Sequence, residues 1–74
     1  MNKQRRQRIE AAITILETLK DTIEEIRDEE EDAYDNLPES IQESDRGEEM
    51  QEYVESLEDA CDYLDEALDS LNNI

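Results

Sequence analysis

Apolar side chains recur at alternating steps of three and four residues along almost the whole chain, and the alternation is interrupted once. Ile9, Ala12, Leu16, Leu19, Ile23, Ile26, Glu30, Ala33 and Leu37 form the first series, in which only Glu30 is charged. Met50, Tyr53, Leu57, Ala60, Leu64, Ala67, Leu71 and Ile74 form the second. A mean step of 3.5 residues keeps each series on one stripe of a helix, which commits the chain to an all-α fold. Ile13, Ile15 and Tyr34 widen the first stripe, and Val54, Cys61 and Leu68 run beside the second as a third column. Such faces are wider than a two-stranded seam needs.

The interruption, "DNLPESIQESDRGEEM" at residues 35 to 50, holds the only proline and the only glycine. Pro38 lacks a backbone N–H and pushes Leu37 out of helical geometry, so the first helix must end or kink there. Ser44 or Asp45 can cap the second helix, and with Asp45 as the cap Glu48 completes a capping box. Gly47, without a side chain, lets the corner pack closely. Residues 38 to 43 suit one short helical turn, with Leu37 and Ile41 plugging the end. The spacing thus predicts one domain over residues 1–74: a helix over about 3–36, a corner over about 37–45 and a helix over about 46–73. At the usual rise the two helices measure roughly 50 and 40 Å.

A two-helix hairpin leaves part of each wide stripe uncovered. Seventy-four residues also have difficulty burying an adequate core alone. The expected architecture is therefore two long antiparallel helices in a hairpin, paired with a second copy as a homodimeric four-helix bundle. Tyr53, on the stripe, is expected in the core, and Tyr63, between columns, partly exposed. Cys61 is expected to be a small buried hydrophobe, because its acidic neighbours Glu58, Asp62 and Asp65 disfavour a thiolate.

Charge is unevenly distributed within the formal total of −17. Residues 1–20 carry five basic and two acidic side chains, a net +3, whereas residues 21–74 carry two basic and twenty-two acidic ones, a net −20. A hairpin should bring Asp65, Glu66 and Asp69 beside Arg5, Arg6 and Arg8, each cluster offsetting the other's unfavourable place on its own helix dipole. The segment "KQRRQR", residues 3–8, is also a candidate nucleic-acid tip, although the polyanionic remainder opposes it.

Histidine is absent and cysteine occurs once, so an intrachain disulfide and the common zinc and di-iron ligand sets are excluded. No glycine-rich phosphate loop and no nucleophile beside a base is present, which argues against an enzyme and against a bound cofactor. The acid run "RDEEEDAYD", residues 27–35, lacks the alternating ligands and central glycine of a calcium loop. No secretory leader or membrane segment is recognisable, so a cytoplasmic protein without membrane contact is expected.

The pieces "NLPES" and "RGEEM", followed by "YVESLEDACDYLDEALDSL", resemble small acidic helical-hairpin proteins encoded by phages and prophages of Gram-positive bacteria. The similarity covers most of the chain, with Asp45 standing where glutamate would be expected before Arg46-Gly47. The resemblance implies a phage setting, with the host cytoplasm as the place of action, and brings no catalytic residues.

Twenty net negative charges along 40–50 Å amount to about one per 2–2.5 Å, against one per roughly 1.7 Å of duplex axis. That spacing points to a partner protein with a basic, nucleic-acid-binding surface, which the chain would block by imitating nucleic acid. The acids Asp28, Glu29, Glu31, Asp32 and Asp35 are the candidate contacts. The alternative is a non-enzymatic structural or adaptor module of a phage or prophage.

Overall fold

The computed structural model describes all residues from Met1 to Ile74. Three helices account for the chain: α1 over Lys3–Asp35, α2 over Glu39–Gln42 and α3 over Asp45–Asn72. α1 and α3 pack along each other, with the single turn of α2 closing one end, in a rod of 58 × 15 × 12 Å. The two long helices, their reversal and the helical turn within it follow the expectations from spacing.

The corner is built by backbone constraints. α1 stops at Asn36, whose N–H still reaches the Asp32 carbonyl at 3.1 Å. Pro38 then sits at the N-terminus of α2, where its missing donor costs nothing and its carbonyl accepts from the Ile41 and Gln42 amides. Gln42 ties the corner to α1 by donating Nε2–H to the Tyr34 carbonyl at 3.0 Å. Gly47 is buried, and a Cβ placed there would lie 2.0 Å from the Gln42 carbonyl oxygen. Only glycine fits, because the obstruction is backbone.

The capping box does not form. Ser44, not Asp45, is the N-cap of α3, so Glu48 lies one position too late to reach back. The Ser44 hydroxyl instead donates to the Ile41 carbonyl, tightening the preceding turn. At the other end, Asn2 caps α1 by accepting the Arg5 amide on Oδ1 at 2.8 Å.

The seam between the helices differs from the expected one by a rotation. On α3 it comprises Gly47, Met50, Val54, Leu57, Cys61, Leu64, Leu68 and Leu71, all buried or half-buried. The facing side of α1 comprises Ile9, Ile13, Leu16, Lys20, Ile23, Arg27, Glu30 and Tyr34, all half-buried. The alternative columns, expected inside, are exposed: Leu19 at 45%, Ile26 at 46% and Tyr53 at 51%. Gly47 supplies the physical reason. It lies seven residues from Val54 and in the same column as Cys61 and Leu68, so its close approach to Gln42 turns that column inward.

Candidate functional site

Two surfaces of the rod stand out: an acidic outer side and an uncharged stripe beside the seam. The five candidate acids are all exposed, but the structure divides them. Asp28 Oδ1 accepts from Arg27 Nε and Nη2 at 3.2 and 3.0 Å, so its charge is already partnered. Glu29 follows Ile15 and Thr22 at intervals of seven residues and therefore borders the uncharged stripe. Glu31, Asp32 and Asp35 make no side-chain ion pair. Glu31 and Asp35 flank a shallow hollow shared with Tyr34, Gln51 and Val54. These three are the unpaired members of the candidate set that lie away from the stripe.

The expected pairing of Arg5, Arg6 and Arg8 with Asp65, Glu66 and Asp69 is absent. Asp65 pairs instead with Lys20, and the Arg6 guanidinium donates to the Ile74 carbonyl at 3.3 Å. The reversal is centred close to residues 40–42, which sets Arg6 level with the last residue and leaves the carboxylates of α3 farther along the rod. The basic first turn of α1 consequently has no carboxylate partner and stays at the unfavourable end of its helix dipole.

Sequence inspection missed an ionic group within the seam. Lys20 reaches Asp65 across the hairpin and Glu24 one turn along, at 3.6 Å. The hydrogen bond to Asp65 holds the Lys20 ammonium above its ordinary pKa, with both carboxylates adding attraction. Arg27 is likewise raised, chiefly by its bond to Asp28. The long stems of Lys20 and Arg27 cover the seam while their heads reach water. The detectable signal was their seven-residue spacing from Ile13 and Tyr34.

Cys61, 4% exposed, lies inside this seam. Burial pushes its thiol pKa up, and Glu24 adds to the rise against the opposing pull of Arg27 and Lys20. The thiol therefore stays protonated and unreactive at neutral pH. Tyr53, outside the seam, donates its hydroxyl to Glu49 Oε1 at 2.5 Å, and that bond holds the phenol above its ordinary pKa. Tyr63 is 69% exposed, as its position between columns suggested.

The uncharged stripe is continuous on both long helices. On α3, positions 53, 56, 60, 63, 67 and 70 are Tyr, Ser, Ala, Tyr, Ala and Ser, without one charge. On α1, positions 12, 15, 19, 22 and 26 are Ala, Ile, Leu, Thr and Ile. All but Ala60 are exposed in the hairpin. Both columns lie on the same rotational side of their own seam, and in an antiparallel pair that places them on one face of the rod. A solvated face in a chain with 42% charged residues would carry charge. The exposed uncharged face is therefore the exception on this surface.

No three Cys, Asp or Glu side chains converge as a metal-binding group. No helix is long and apolar enough to cross a membrane. No family model matches the chain, and neither the curated proteins nor the solved structures contain a match.

Proposed function

We propose that the chain pairs with a second copy through its uncharged face and uses its acidic outer side to occupy the basic, nucleic-acid-binding surface of another protein. The observation that carries this proposal is the separation of surfaces. Charge is absent from one face of the rod between residues 12 and 26 of α1 and between 53 and 70 of α3, while carboxylates crowd the other faces, and residues 21–74 hold a net −20. Pairing doubles that charge on one rigid body. A phosphate-reading arginine or lysine would meet carboxylates at a density near that of duplex DNA.

Inhibition would be competitive occlusion, with fast association steered by the field of the polyanion. Glu31, Asp32 and Asp35 are the carboxylates free to engage a cation, with Asp28 already held by Arg27. The resemblance to phage and prophage proteins makes a host nuclease, a polymerase or a defence complex a sensible target in the host cytoplasm. The protein acts by contact and performs no chemistry.

Affinity capture from infected and uninfected host lysate tests this directly. Recovery of a DNA-binding protein that is released by salt and by added duplex DNA supports occlusion. Changing Glu31, Asp32 and Asp35 to amides should weaken that capture and flatten its salt dependence. Recovery of a capsid, tail or packaging component that ignores duplex DNA would favour the adaptor alternative.

A further inference from the structure

The uncharged stripe of α1 is bracketed by opposite charges. Continuing its columns toward the N-terminus gives Arg5 and Arg8, and continuing toward the corner gives Glu29. All three are exposed, and neither arginine meets a carboxylate within the hairpin. Read along the helix, the stripe is basic, then apolar, then acidic. A surface with that polarity is complementary to its own reversed copy.

We infer that the second copy lies with its corner at the opposite end of the rod, α1 against the partner's α1 in antiparallel sense, on a two-fold axis passing close to Leu19. This rests on the pairing proposed above and specifies its geometry. Residues equidistant from Leu19 then come level. Ala12 meets the partner's Ile26, a small side chain against a large one, and Leu19 meets its own counterpart. Arg8 comes within a residue of the partner's Glu29, a displacement of about 1.5 Å along the axis.

The competing arrangement stacks corner on corner. It would gather at one end two segments from Glu24 to Asp35, each holding eight carboxylates and one arginine. Like charges at that density repel, while the basic tips would remain without acids. Reversal removes the repulsion and neutralises the first turn of α1, which the hairpin alone leaves at the wrong end of its dipole. Reversed rods can overlap along their whole length, charged ends included, and 58 by 15 Å is roughly 900 Å² in projection, against about 800 Å² per partner in a standard interface.

Disulfide trapping reads the geometry. In a Cys61→Ala background, Leu19→Cys should oxidise to a covalent dimer under native conditions. Ala12→Cys should not, because its two copies would stand about 21 Å apart along the axis. A second test needs no cysteine. Arg8→Glu should weaken dimerisation about tenfold at low salt, and adding Glu29→Arg in the same chain should restore it. A dimer by sedimentation in which the Leu19→Cys variant stays uncrosslinked, or in which Arg8→Glu has no effect, would overturn the reversed geometry and leave pairing intact. A monomer would overturn both.

Discussion

The two sides of the hairpin seam are unlike each other. The α3 side is apolar throughout and contains every buried residue of the molecule, Gly47, Cys61 and Leu68. The α1 side contains none, and Lys20, Arg27 and Glu30 interrupt it. Yet α1 is not short of aliphatic residues, for Ile15, Leu19 and Ile26 lie outside, 67%, 45% and 46% exposed. The corner explains the difference. Gly47 and its column must face inward, so α3 presents its best face and α1 accepts a rotation that turns its own best columns to solvent. The helix pair thus has one satisfied and one unsatisfied member, which is the basis of the pairing proposed above.

The largest expected effect lies on the satisfied side. Leu68→Asp should abolish helicity, because a carboxylate there has no partner in the seam. Leu68→Ala should cost about 2–5 kcal/mol, measured by urea unfolding. Next comes the corner that sets the rotation. Gly47→Ala should cost about 3 kcal/mol, since the Gln42 backbone must move to admit the methyl group. If that variant unfolds like the parent, the corner does not dictate the seam.

A smaller effect belongs to the unsatisfied side. Arg27→Leu makes the α1 seam resemble that of α3 and should raise the melting temperature slightly, because Arg27 contributes stem packing and a pair with its own neighbour. A marked loss of stability would mean that the charged seam is a positive contributor.

The smallest effect is in alkali. Cys61, Tyr53 and Lys20 all have folded pKa values above their ordinary ones, so the folded chain holds these protons more tightly than the unfolded chain. The unfolded state then binds fewer protons once pH exceeds about 9, and stability should decline from there toward pH 11. Thermal melts across that range check the sign. A Tm that rises would contradict it.

The corner was legible in sequence because Pro38 and Gly47 act through backbone, which no distant contact can override. The two helices were legible because the three-four spacing admits no other regular element. The choice of seam was not read correctly. Each helix has three candidate columns, and polarity favoured the one holding Leu19 and Ile26 over the one holding Lys20 and Arg27. Periodicity gives the width of a face without saying which part of it a neighbour covers. The exposed acidic side was legible as composition, but not its division, since the Arg27–Asp28 pair and the position of Glu29 beside the stripe depend on that same rotation. The Arg–carboxylate clusters failed for a related reason: their pairing needed an axial register that only the closed corner defines.

Sedimentation equilibrium at tens of micromolar, comparing the parent chain with Ile26→Ser, tests most directly whether the uncovered face of α1 belongs to a larger core. The parent should sediment at twice its 8.7 kDa, and the variant, changed at a side chain the solitary hairpin leaves 46% exposed, should shift toward monomer and lose helicity. A fully helical parent that sediments as a monomer, with a variant equal to it in stability, would contradict it.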